Sequence, residues 1–97
     1  MNNPPNGGSN QEPPKIEFPC PDYPIKSMGT ATASYREAVL NIMEVHAPGF
    51  DPAKVSVRDS SKGSFQSVTV FITATGVEQL QAIFDDLKKL PETKMVL

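Results

Sequence analysis

A chain of 97 residues with a formal charge of −2 has room for one domain and one modest core, since domains run from about 50 to 250 residues. The mildly acidic balance excludes a general attraction to nucleic acid or anionic lipid, and no run nears the roughly 18 apolar residues of a membrane span. Cys20 is the single cysteine, which excludes an internal disulfide and suits a reducing cytoplasm.

Met1 to Lys15 carry no apolar residue beyond the initiator Met and the prolines. Such a stretch does not bury enough surface to offset its chain entropy, so residues 1–15 read as a disordered tail and 16–97 as the folded domain. The tail lacks the basic start and apolar centre of a signal peptide. Seven of the ten prolines fall in the first 24 residues, which makes Ile16 to Tyr23 an extended lead-in, pinned by Phe18 and Tyr23. A short strand over Pro24 to Met28 follows and ends at Gly29.

Ser34-Tyr-Arg-Glu37 fits a capping box, and Tyr35, Ala38, Val39, Ile42 and Met43 form one apolar helical stripe. Ala47-Pro48-Gly49 stops that helix, with His46 in its last turn, favourable to the helix dipole. After the Asp51-Pro52 turn, Ala53 to Arg58 alternates as a second strand with Val55 and Val57 inward. Asp59 to Gly63 makes a hairpin, with Gly63 available for a positive φ.

The most regular stretch runs from Gly63 to Thr75. Gln66, Val68, Val70, Ile72 and Ala74 share one side, and Phe65, Ser67, Thr69, Phe71, Thr73 and Thr75 share the other. Thr75-Gly-Val-Glu78 reads as a second capping box, and Val77, Leu80, Ile83, Phe84, Leu87 and Leu90 form a second stripe. Lys88 and Lys89 suit its final turn, Pro91 closes it, and Lys94 to Leu97 is a last short strand.

This β-α-β-β-α-β order predicts an α+β, ferredoxin-like sandwich: a four-stranded antiparallel sheet in order 4-1-3-2, with two helices on one face. The opposite face, carrying Lys54, Ser56, Arg58, Phe65, Ser67, Thr69 and Phe71, is left for solvent or a partner.

Catalytic chemistry finds little support in the residues. Cys20 needs a base beside it to act as a nucleophile, and His46 is the sole histidine. There is no spaced metal-ligand cluster, no phosphate loop and no dinucleotide loop, so neither a metal nor a cofactor is expected. Asp85 and Asp86 are adjacent on a helix and do not face each other, so they form no acid–base dyad. The hydroxyls and amides of Ser60 to Ser64 suit a small anion, although a plain polar hairpin explains them as well. Phe65 and Phe71 on an open sheet face suit stacking of RNA bases, and Lys62-Gly-Ser-Phe65 resembles part of the RNA-recognition motif. The residue after Gly63, aromatic in that motif, is serine here, and six residues separate the two rings by about 20 Å.

Phe18-Pro19, Tyr23-Pro-Ile-Lys-Ser-Met-Gly29, His46-Ala-Pro-Gly49, Ser60-Ser-Lys-Gly-Ser-Phe-Gln-Ser-Val-Thr69 and Met95-Val-Leu97 together resemble the YbeD-like family of small bacterial proteins. That is a family of unknown function, sometimes labelled as lipoate-binding regulators. The resemblance covers residues 16–97 and implies the same ferredoxin-like fold, a likeness to amino-acid-sensing ACT domains and a loose tie to lipoate metabolism. It brings no catalytic residues. ACT domains bind amino acids at a loop after the first strand, where Gly29 stands, but the Asp and Pro often beside that glycine are absent.

The expectation is a non-catalytic regulatory module that binds a small metabolite, a protein partner or both. Its expected contacts are Gly29, Thr30 and Ser34 in one loop and Ser60, Ser61, Lys62, Gly63 and Ser64 in the hairpin. Binding of RNA through the open face is the rival. Short edge strands leave pairing with a second copy open.

Overall fold

A computed structural model describes residues 16–97; the tail expected over residues 1–15 lies outside them. Its elements follow the expected order. They are β1 (Cys20–Thr30), α1 (Ala33–His46), a single 3₁₀ turn (Pro52–Lys54), β2 (Ser56–Asp59), β3 (Phe65–Ala74), α2 (Val77–Lys89) and β4 (Thr93–Val96). The strands form one antiparallel sheet in the order β2-β3-β1-β4, the expected order read from the other edge. No helix among the described residues is long and apolar enough to cross a membrane.

The alternation on β3 builds the core. Val68, Val70, Ile72 and Ala74 are buried on one side, matched in register by Ile25 and Ser27 of β1. Tyr35, Val39 and Met43 of α1 and Leu80, Ile83 and Leu87 of α2 close over them, so both helices lie on that side. Burial of these side chains is the main favourable term, at about 1.5–3 kcal/mol for each large apolar residue.

β1 is much longer than Pro24 to Met28 and contains Pro21 and Pro24. β4 pairs only with the far end of β1, around Ser27 to Gly29. Over its first half β1 is therefore an edge strand, where a missing amide breaks no ladder. A bulge between Cys20 and Tyr23, with Asp22 at φ 55°, adapts that half to β3. At the other end β4 begins one residue earlier than expected. Leu97 still exchanges both backbone bonds with Lys26, at 2.8 and 3.1 Å.

Both helix starts differ from the expected capping boxes. Thr32, not Ser34, caps α1: its Oγ1 accepts from the Tyr35 amide at 3.1 Å, and Ser34 Oγ sits 3.2 Å from the same oxygen. The helix begins at Ala33, so Ser34 falls inside its first turn, where its hydroxyl faces no free N3 amide. Gly76 caps α2 without a side chain, and Gln79 rather than Glu78 reaches back, its Oε1 accepting from the Thr75 amide at 2.8 Å. Val77 lies at the rim of its stripe and is exposed.

The second strand is shorter than Ala53 to Arg58. Asp51 Oδ1 accepts from the Ala53 amide at 2.9 Å and coils Pro52–Lys54 into the 3₁₀ turn, which removes Lys54 from the sheet face. Val55 packs against the core, but Val57 is 39% exposed although it pairs with the buried Val68. It points to the helix side from an edge strand that the helices do not reach. Gly63 does turn the hairpin with a positive φ, at 74°.

Candidate functional site

The expected contact residues come together at one end of the sheet. The Ala31 amide donates to the Ser64 carbonyl at 3.2 Å, so the loop after β1 and the β2–β3 hairpin touch. Gly29 itself is not on that surface. A Cβ built there would lie 2.5 Å from Tyr35 Cζ and 2.7 Å from the Glu92 carbonyl oxygen, so its role is close packing. The Thr30 carbonyl is occupied by the buried Gln66, whose Nε2 donates to it at 3.2 Å and to the Thr32 carbonyl at 2.7 Å. Ser34 is exposed beside Thr32. Ser60, Ser61, Lys62 and Ser64 line a shallow hollow of about 170 Å³ with Phe65. Two of its groups are already used: Ser60 Oγ accepts from the Phe65 amide at 3.2 Å, and the Ser60 amide donates to the Phe65 carbonyl at 2.8 Å.

The larger concavity, about 420 Å³, lies at the opposite end. Pro21 and Asp22 of β1 form one rim and the Ala47–Asp51 loop another. Phe71 and Thr73 of β3 lie between them, and Lys54 closes the outer side. Gly49, at φ 91°, lets the chain leave α1 and swing back over the sheet, which brings Phe50 to the cavity wall. No single sequence stretch marks this site, because it is assembled from four separate segments.

A polar scaffold holds its base. Gln79 Nε2 donates to the His46 carbonyl at 3.0 Å and lies 3.3 Å from the Thr73 carbonyl, joining α2 to the end of α1 and to β3. The His46 ring is 2.6 Å from the Asp86 carboxylate through Nε2, and Lys89 Nζ sits 4.0 Å from the other oxygen of Asp86. His46 does end α1, as its position suggested, and its ring is committed to α2. On the outer rim Lys54 Nζ and Asp22 Oδ1 pair at 3.4 Å, both well exposed. Exposed pairs of this kind contribute about 0–1 kcal/mol, so a ligand could separate them with little loss.

Cys20 Sγ has its near contact with the neighbouring Pro21 carbonyl at 3.9 Å, and His46 faces Asp86 instead of the thiol. Among the described residues no three His, Cys, Asp or Glu side chains gather around a possible metal ion. What the larger cavity offers is a mixed wall, in which apolar residues such as Phe50, Phe71 and Ile72 are matched by as many polar ones, among them Asp22, Asp51 and Lys54, within the range of about 300–1,000 Å³ common for small-molecule sites.

Against known proteins, residues 13–97 match the family described as "Protein of unknown function (DUF493)". A UPF0250 protein of Ectopseudomonas mendocina is 51% identical over 89 residues, which cover 92% of this chain and 97% of that protein. A UPF0250 protein of Pseudomonas aeruginosa is 54% identical over 86 residues, covering 89% and 92%. Among solved structures, protein HP0495 from H. pylori superposes with a TM-score of 0.66 at 21% identity, over 97% of this chain and 98% of that one. The ACT domain from a GTP pyrophosphokinase of Chlorobium tepidum gives 0.53 at 16% identity, over 76% and 91%. At those identities the structural likeness carries the fold, which is ferredoxin-like and ACT-like.

Proposed function

This chain belongs to the DUF493 family, and on that premise we propose that it is a small, non-catalytic regulatory module that takes up a metabolite-sized ligand. The observation that carries the reading is the cavity of about 420 Å³ between the Ala47–Asp51 loop and the end of β3. Its walls mix apolar and polar side chains, and its histidine and glutamine are engaged in holding elements together. That arrangement favours holding a molecule over transforming it. The ACT-like fold supports a regulatory role by analogy alone. The tie to lipoate implied by the family resemblance is part of this proposal and forms one arm of its test.

NMR titration of the ¹⁵N-labelled chain with the amino acids and with lipoate is the direct measurement. The expected result is shifts at the amides of Phe50, Phe71 and Thr73. Thr73→Phe, placed on an exposed position at the mouth, should abolish them without lowering the unfolding temperature. Shifts confined to Ser60 to Ser64 would move the site to the hairpin end. Silence at millimolar ligand would remove ligand binding and leave a role through protein partners.

A further inference from the structure

We propose that the outward face of the sheet is a docking surface for an acidic, partly apolar protein segment. The register places Lys26 and Met28 of β1, Arg58 of β2, Phe65, Ser67 and Phe71 of β3 and Met95 of β4 on this side, away from the helices. Lys94 belongs to it as well, its Nζ 5.8 Å from the centroid of the Phe65 ring. Three cations thus share the face, while no strand position pointing outward between Pro24 and Thr30, along β2 or along β3 is Asp or Glu. The chain as a whole has nine basic against eleven acidic side chains, so this face runs against the sign of the molecule. The carboxylates at its margins are turned elsewhere: Asp59 pairs with the inward-facing Gln66, and Asp22 with Lys54.

Charge is only half of the pattern. Phe65 is 41% and Met95 50% exposed, Met28 is half-buried between the cations, and Phe71 lies half-buried beyond Lys26, where the sheet meets the larger cavity. Solvated Lys and Arg alone would suit any polyanion. Interleaved with two methionines, which repack readily, and the Phe65 ring, they suit a segment carrying carboxylates beside apolar side chains. RNA fits less well, because Phe65 and Phe71 lie about 20 Å apart along β3 and offer no platform for neighbouring bases. A second copy fits poorly too, since stacking two such faces would set three cations against three.

The test uses the ¹⁵N-labelled full chain without any metabolite, so its outcome is independent of the cavity. The probe is a short synthetic peptide alternating Glu and Leu, with an oligouridylate of matched charge in parallel. Expected are peptide-induced shifts at Lys26, Met28, Ser67 and Lys94, with the oligouridylate binding more weakly at the same salt. The triple variant K26E/R58E/K94E should bind the peptide about tenfold or more weakly, and the milder K26Q/R58Q/K94Q should weaken it in the same direction. K88E, which reverses a charge of the same type on α2, should leave affinity unchanged. The proposal is overturned if no peptide binds, if shifts fall on the helices, or if both charge-reversal variants lose affinity equally. Equal or tighter binding of the oligouridylate would also overturn it and assign the face to nucleic acid.

Discussion

Gly29→Ala is expected to destabilise the domain by about 1–3 kcal/mol, the usual range for overfilling a packed interior, or by more. The added methyl would sit 2.5 Å from Tyr35 Cζ, 2.7 Å from Tyr35 Cε2 and 2.7 Å from the Glu92 carbonyl oxygen. Neither neighbour gives way easily. The Tyr35 ring is fully buried and its hydroxyl is bonded to Ser27, while the Glu92 carbonyl accepts from the Thr30 amide at 3.2 Å. Relief therefore requires β1 to move away from α1 or from the start of β4. For a domain of this size each kcal/mol lowers the unfolding temperature by roughly 4–8 °C, so a loss of about 2 kcal/mol should appear as a drop of about 8–16 °C in a thermal melt followed by circular dichroism. In a Tyr35→Leu background the penalty should shrink, because one of the two obstacles is gone. A melt within a few degrees of the parent would show that the strand and helix accommodate a side chain here, and that close packing is not why the position is glycine.

The sequence signals that succeeded are those in which local pattern and tertiary burial agree. The alternation from Gln66 to Ala74 corresponds residue for residue to the buried side of β3, and the order of elements sufficed for the sheet topology. Capping was less legible because several hydroxyls compete near each helix start. Ser34 and Glu37 look like a reciprocal pair, yet Thr32 takes the cap two residues earlier. Val57 reads as inward by period and is inward by register. Its exposure follows from its place on an edge strand, a fact of the assembled sheet that no local window contains. The cavity was illegible for a similar reason, since Pro21, Phe50, Phe71 and Gln79 have no sequence relation and meet only through the β1 bulge and the turn at Gly49. Gly29, by contrast, was visible as special while its close packing was not: an isolated glycine after a strand fits a ligand loop as readily as a place where an aromatic ring approaches the backbone.

The hydroxyl of Tyr35 ties three elements together in a dry environment, and its removal should have effects that separate packing from hydrogen bonding. It bonds to Ser27 Oγ of β1, which is fully buried, and lies 3.3 Å from Thr93 Oγ1 at the start of β4. Thr93 Oγ1 in turn donates to the Leu87 carbonyl in the last turns of α2 at 2.7 Å. Tyr35→Ala removes the ring and the hydroxyl and should lower stability by about 3–5 kcal/mol, as for other buried aromatics, enough to leave a small domain partly unfolded at physiological temperature. Tyr35→Phe keeps the volume but strands the Ser27 hydroxyl, and should lower stability by about 1–3 kcal/mol, the cost of a buried polar group without a partner. Ser27→Ala alone should be milder, because the tyrosine keeps Thr93 within reach. The double variant Ser27→Ala with Tyr35→Phe then removes both ends of the bond, and its loss should be smaller than the sum of the two single losses. Urea unfolding of the four proteins measures this directly. Strict additivity would mean that Ser27 and Tyr35 stabilise the domain independently, and that the hydroxyl network does not join β1 to α1.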